Sequence, residues 1–432
     1  FKRYEPFYFR QAGEFVVESN PSILTNLGGT QASKFTLQPG SGYSSSKISS
    51  NLGNGYIGDV RRTERERRNV LFQALKASDA KYAALDKRLK FSERNSDGTL
   101  TSKNESREQS KNDDFSGKYK PDHISEIKVI GKDGKTYYFG LPSYVTKHKE
   151  VTYQTDKKLS DLSQCQSGII PYEEEYDKPK NKTSEKYYQS SELPPYTNAF
   201  MLTAVVSADY VDKTGNGLDF TNDHGNGTKI KYFRHSKNYG WRTPYEGVNY
   251  NEGLNSKNTD DRASYVYGEK ELWYVDQIES RTTIAIFHYD EREDACGALK
   301  GGGRDDNDKQ LKLVKISLYA KPEYEKHGDN ATPIKEAHFK YHYRGFTAGG
   351  TQRVPSNTGV SPDKSGFINE GGKLMLEQVY FTYAKSKKGK VSPYIFNYDE
   401  NSSVYYGEKN ADAWGVFKED LGSSCDYAGL FP

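Results

Sequence analysis

Aromatic residues set at every second position constrain this chain more than any other feature. They are clearest in the stretch Gly372-Lys-Leu-Met-Leu-Glu-Gln-Val-Tyr-Phe-Thr-Tyr383. A basic glycine turn, Lys387-Lys-Gly-Lys390, follows, and then Ser392-Pro-Tyr-Ile-Phe-Asn-Tyr398. Successive side chains of a strand point to opposite faces, so this spacing lines one face of a strand with rings. The unit describes sheet surface and carries no obvious reactive group. The chain contains 35 Tyr against 20 Phe and 3 Trp, so most of its rings bear a hydroxyl that needs a partner. Only 34% of its 432 residues are hydrophobic, which suits half-wet β faces and interfaces.

The same period runs through candidate strands at 126–130, 136–141, 150–155, 200–211, 229–234, 265–274, 282–289, 311–320, 334–344, 374–383 and 394–398. Turn chemistry separates several of them, as in Lys132-Asp-Gly-Lys135, Gly301-Gly-Gly303 and Asn369-Glu-Gly-Gly372. The expected fold is mainly β, with multiple antiparallel sheets in a sandwich, barrel-like or shell arrangement. One helical segment is expected near residues 57–91, where Val70, Leu71, Ala74, Leu75, Tyr82, Leu85 and Leu89 recur at three- and four-residue steps. Four regions are expected. Residues 1–122 form a Gly/Ser-rich opening with the helix and an exposed loop over 93–122, and residues 123–190 form a small β module. Residues 191–417 form the main β-rich module, and 418–432 an unassigned tail. The hydrophilic run from Tyr172 to Ser191 is read as the separator between the two modules.

Charge and cysteine usage exclude several classes. The net charge of +3 arises from 62 basic and 59 acidic residues, a balance that argues against nucleic acid as the partner. Cys165, Cys296 and Cys425 lie far apart with no CxxC spacing, which excludes a disulfide framework and a zinc ribbon. No apolar run approaches the ~18 residues of a membrane span. The chain opens at Phe1-Lys-Arg-Tyr4 without a signal segment and is read as an internal piece of a longer polypeptide.

The best candidate for a bound group is the segment from Asp212 to Asp223. Asp212, Thr214, Asn216 and Asp223 stand at loop positions one, three, five and twelve, with Gly217 at six and the carbonyl of Leu218 at seven. A hard cation needs several oxygens within one tightly curled segment, so these five residues match a structural calcium loop. An Asp/Asn/Gly turn without metal accounts for the same residues. His338 and His342 form an HxxxH pair, but in a strand pattern that alternates them with Phe339, Tyr341 and Tyr343, and the intervening Lys340 suits a solvated face better than zinc. Gly301–Asp308 reads as a flexible acidic loop. Glu269, Glu271, Asp276 and Glu279 gather around Trp273, and a glycosidase-like acid pair would have to come from such a set. Trp241, Trp273 and Trp414 are the rings best suited to stacking on sugar.

At these residues the chain resembles segments of very large secreted surface proteins of Bacteroidetes. The likeness is carried by Ala199-Phe-Met-Leu-Thr-Ala-Val-Val-Ser-Ala-Asp-Tyr-Val-Asp212, by Tyr265-Val-Tyr-Gly-Glu-Lys-Glu-Leu-Trp-Tyr274 and by the Gly372–Tyr398 unit with Trp414-Gly-Val416. It extends over most of residues 57–417, and the closing unit is more distantly similar to β-rich parts of Rhs/YD-repeat and toxin-complex proteins. The resemblance implies export by the type 9 route and an extracellular or cell-surface location, and supplies no catalytic residues. Where that family carries an acidic Gly-Asp-Gly turn, this chain has Gly215-Asn216-Gly217. The expectation is therefore a non-enzymatic structural or interaction module serving scaffolding, adhesion or encapsulation. Its partners would be other domains of the same polypeptide, other surface proteins, or glycans. A carbohydrate-binding module and a secreted glycoside hydrolase are the alternatives.

Overall fold

The computed structural model describes residues 7–8, 45–47, 56–58, 71–77, 91–95, 99–103, 123–155, 169–178, 187–213, 218–220, 222–251, 260–344, 346–348, 351–353 and 373–398. The opening region holds β1 (Phe7–Tyr8), β2 (Ser45–Lys47), β3 (Tyr56–Gly58), β4 (Leu71–Lys76), β5 (Phe91–Arg94) and β6 (Leu100–Lys103). β7 (Ile124–Ile130), β8 (Thr136–Phe139) and β9 (Leu141–Gln154) follow, then β10 (Ile169–Ile170), β11 (Tyr188–Leu193), β12 (Tyr196–Met201) and β13 (Ala204–Val206). The long strands are β14 (Gly227–Thr243), β16 (Arg262–Ser280), β17 (Thr283–Ala298) and β18 (Arg304–Ala320), with β15 (Val248–Tyr250) between the first two. A short helix, α1 (Lys321–His327), leads to β19 (Lys335–Arg344), β20 (Phe346–Ala348), β21 (Thr351–Arg353), β22 (Lys373–Tyr383) and β23 (Tyr394–Ile395). The mainly β, antiparallel expectation holds, with one parallel exception where β5 lies beside β14.

Within the range read as helical, Leu71–Lys76 is strand β4, and Tyr56–Gly58 and Phe91–Arg94 border it as strands. Ala77 follows β4 and donates its N–H to His123 O at 2.8 Å, and the rest of that range lies outside the described residues. The apolar cluster 70–75 is too short to separate a period of 3.6 from one of two, and pairing with β7 decides it: Phe72 faces Val129 and Ala74 faces Ile127. The described α-helix is α1, set by Pro322 in its first turn. The expected boundary at 190 falls inside β11, which pairs with β9. β16, on the far side of that boundary, pairs with the other edge of β9.

β14 and β16 form the spine. The first half of β16 lies between β14 and β9, and its last residues lie between β14 and β17. One pair of strands thus serves two stretches of sheet. The bend is made by bulges: Asp276 is the extra residue where Lys231↔Gln277 gives way to Tyr232↔Val275, and His235 is the extra residue before Ser236↔Leu272. These strands run to 17 and 19 residues, well beyond the expected 229–234 and 265–274, because the buried face changes along their length and blurs the alternation. β18 likewise begins at Arg304, so the acidic residues after Gly303 belong to a strand and not to a loop. Gly302 and Gly303, at φ 94° and 89°, make the turn that precedes it.

Bulges free backbone groups, and tyrosine hydroxyls take them up. Tyr289 Oη donates to Val275 O at 2.8 Å, beside the Asp276 bulge. Tyr341 Oη donates to Leu313 O at 2.7 Å, where the β17–β18 register shifts. Leu311 N–H donates to Tyr274 Oη at 2.8 Å and Glu293 N–H to Tyr343 Oη at 3.1 Å, both beside the wide bulge between Glu291 and Cys296. The main core follows the same rule: Tyr153, Tyr250 and Tyr265 pack with Val151, Val248 and Ala263, all nearly solvent-free. Tyr250 Oη donates to Asp261 at 2.7 Å.

Replacing Tyr289 or Tyr341 by Phe should lower unfolding free energy by about 1 kcal/mol each, the net worth of one hydrogen bond. Tyr394→Phe, on an exposed ring, should leave it unchanged. Denaturant titration checks this; equal stability of all three would remove the hydroxyl–bulge account.

Candidate functional site

The most concentrated polar constellation is one the sequence reading missed. β10 pairs with β15, and the chain then crosses over the core so that Asp177 enters it, with its side chain 1% exposed. Three hydroxyls converge on this carboxylate: Tyr265 Oη at 2.6 Å, Tyr172 Oη at 2.8 Å and Tyr188 Oη at 3.4 Å. Lys300 Nζ lies 3.7 Å away. The Arg242 guanidinium covers the rings of Tyr265 and Tyr172, at 4.4 and 5.4 Å. Arg242 also donates to the carbonyls of Lys300, Pro244 and Gly247, so a buried cation closes the turns on both sides of it. Burial, followed by the bond to Asp177, pushes the Tyr265 hydroxyl far above its ordinary pKa, so it remains a donor. The run Tyr172-Glu-Glu-Glu-Tyr176, read as a hydrophilic separator, is the strap that carries Asp177 inward. The one available signal was Tyr172 and Asp177 flanking that acidic run, matched by the period-two pair Tyr265 and Tyr267.

A second buried network lies on the other half of the spine. Glu271 Oε1 accepts from Arg234 at 3.2 Å, and its Oε2 accepts from Tyr144 N–H at 3.1 Å and Trp273 Nε1 at 3.3 Å. Arg234 reaches on to Glu93 at 3.1 Å, which also holds Lys237 at 3.1 Å. Burial raises the Glu93 pKa, but Lys237 and Arg234 outweigh it and the net shift is downward. Glu269 is bonded by Tyr267 at 3.1 Å with Lys147 at 3.8 Å, and Glu279 is paired with Lys321 at 2.6 Å. Three of the four carboxylates grouped around Trp273 are thus held by cations. Asp276 is the exception: burial raises its pKa, and Lys231 only partly offsets this. Trp273 lies under Arg234, and Trp241 meets His148 edge-on at 5.4 Å. Trp414 lies outside the described residues.

The loop read as a calcium site is closed at its base by the Val211–His224 bridge. Asp212 is exposed, while Asp223 is buried and turned to hydrogen donors. It accepts from Lys213 N–H at 3.1 Å, from Asp219 N–H at 3.0 Å and from the Tyr210 hydroxyl. The Leu218 carbonyl, the expected backbone ligand, accepts from Lys229 Nζ at 3.4 Å. Thr214 and Asn216 lie outside the described residues. Asp223 and the Leu218 carbonyl are thus engaged as in a self-capped turn, and a cation at this loop would have to displace their donors. Among the described residues no group of three or more His, Cys, Asp or Glu could hold a metal. His338 is half-buried, stacks on Tyr380 at 4.7 Å and bonds Thr382 at 2.9 Å. Cys296 is buried and free; Cys165 and Cys425 lie outside the described residues. No described helix is long and apolar enough to cross a membrane.

Asp177→Ala should cost about 3–5 kcal/mol, because it leaves buried cation and hydroxyls uncompensated, and Asp177→Asn should cost distinctly less. Urea midpoints measure both; a cost below about 1 kcal/mol for Asp177→Ala would contradict the cage. A pH effect follows from His235, whose Nε2 donates to Lys309 O at 2.7 Å while its buried Nδ1 has no hydrogen-bond partner among the described residues. Burial lowers its pKa. The unfolded chain therefore takes up this proton first as pH falls below about 6.5, and the stabilisation present above that pH is lost on acidification. His235→Gln keeps a donor and removes the titration, so stability should fall less steeply from pH 7 to 5, by up to about 1.4 kcal/mol per pH unit. Parallel pH profiles for the two proteins would count against it. Compared with family models, curated proteins and solved structures, the chain finds no match in any of the three.

Proposed function

We propose that this chain is a non-enzymatic structural and interaction module of a large secreted or surface-anchored bacterial protein, exported by the type 9 route. The observation that carries the reading is how four of the five acids buried among the described residues are used. Asp177, Glu271, Asp294 and Asp223 are each spent on tyrosine hydroxyls, arginine or backbone N–H, which are structural duties. Asp294, with no exposure at all, takes a two-pronged bond from Arg292 and ties down Leu374 N–H at 2.8 Å, fastening β17 to β22. A carboxylate acting as general acid or base must exchange a proton with a substrate, and groups fixed in this way are poorly suited to that. The Trp273 and Trp241 rings, which a sugar would need, are engaged by Arg234 and His148. What is left for contact is exposed strand surface, including Tyr383, Tyr394 and Phe396. The surface location rests on the resemblance carried by Ala199–Asp212, Tyr265–Tyr274 and Gly372–Tyr398.

The purified chain should give no sugar-specific signal on a glycan array and release no reducing ends from bacterial or plant polysaccharides. On intact producing cells, added protease should remove it. Saturable binding to one glycan class would replace this reading with the carbohydrate-binding one. Turnover lost in Asp276→Asn would replace it with a hydrolase.

A further inference from the structure

The last described strand ends the sheet. β23 pairs with β22 through Ile395↔Gln378 and Tyr394↔Val379, and Phe396 N–H donates to Glu377 O at 3.0 Å. Bonding alternates along an antiparallel strand, so Ile395, between the inward-facing 394 and 396, turns its N–H and C=O away from β22. Among the described residues, no strand pairs with that side. Both faces are largely open as well: Tyr394, which meets Phe381 edge-on, and Ile395, on the opposite face, are each 64% exposed. Val391, at 84%, and Phe396, at 42%, extend the strip. An open edge with apolar side chains on both faces is a template for a further strand.

The charge beside it narrows the occupant. Between Glu377 and Asp399 the chain carries Lys385, Lys387, Lys388 and Lys390 and no Asp or Glu. All four lysines are exposed. They are presented by a tight turn that lies against β22, where Gly389 leaves no room for a side chain: a Cβ there would stand 1.7 Å from Phe381 O. Parallel pairing of two copies would bring these lysines together, whereas antiparallel pairing would not, so a second copy is the competing occupant, separated below by concentration dependence. We infer that the outer edge of β23 binds an extended, acid-rich segment of a partner protein, which joins the sheet as an added strand, its apolar side chains against Tyr394 and Ile395 and its carboxylates on the lysine turn. The inference rests on the interaction-module reading and names the partner chemistry of that surface.

The test uses the full chain and two short fluorescent peptides, one alternating glutamate with valine and one alternating lysine with valine. The glutamate peptide should bind saturably, at least tenfold more tightly than the lysine peptide, and more weakly as salt rises. Lys387→Glu combined with Lys388→Glu should reduce its affinity tenfold or more. Ile395→Pro, which removes the outward N–H and leaves the bonded Phe396 intact, should do the same. The lysine substitutions lie on exposed side chains, so they serve if the proline variant loses its fold. Equal binding of the two peptides, no binding of either, or affinity indifferent to the lysine substitutions would overturn the assignment. A concentration-dependent dimer abolished by Ile395→Pro would also overturn it, giving the edge to a second copy. Glycan binding or turnover alongside intact peptide binding would sink the module reading and leave the edge standing.

Discussion

Where the β14–β16 and β17–β18 ladders lose step, backbone groups are left without their ladder partner, and tyrosine hydroxyls answer four of them. Val275, Leu311, Leu313 and Glu293 each meet a ring hydroxyl where the register shifts. Without such partners each group would carry the desolvation cost of an orphaned polar atom, about 1–3 kcal/mol. The bulges in turn let β14 and β16 bend and serve two stretches of sheet. The abundance of tyrosine and the sparse aliphatic content are therefore one fact. A phenylalanine-rich chain of the same pattern could fill the same volume but not mend the ladders.

The buried ionic groups extend this logic. The Asp177 cage and the Arg234–Glu271 network sit on opposite halves of the β14/β16 spine, one around Arg242 and the other around Arg234, eight positions apart on the same strand. Buried ion pairs of this kind add little net stability over apolar packing, but they penalise any register that leaves one partner alone. A one-residue slip of β14 would turn both guanidiniums to the wrong face. Their contribution is to fix which alignment of two long, slippery strands is adopted.

Much of this architecture was legible in residue order. Alternation identified the strands around Val129, Phe287, Leu318 and Phe381, and Lys132-Asp-Gly-Lys135 forms its turn with Gly134 at φ 76°. The errors have physical causes. Leu71–Lys76 looked helical because a six-residue apolar cluster fits either period until a partner strand is known. The Tyr172–Asp177 strap looked solvated because three consecutive glutamates dominate it, and nothing local reveals that the next acid turns inward. The oxygen spacing from Asp212 to Asp223 is a different case, ambiguous and not misread: it suits a cation, and it suits a loop whose own N–H groups fill the Asp223 oxygens.

The Asp177 carboxylate has a bearing on how the chain reaches this state. It is shared by a hydroxyl five residues before it and another 88 residues after it. No local hairpin can supply both, so the acid cannot leave water favourably until the β9–β16 pairing has closed around it. Its desolvation is thus tied to long-range assembly, and partly paired forms keep the strap hydrated. The cage acts as a proofreading latch, engaging only when distant parts of the chain have met in register.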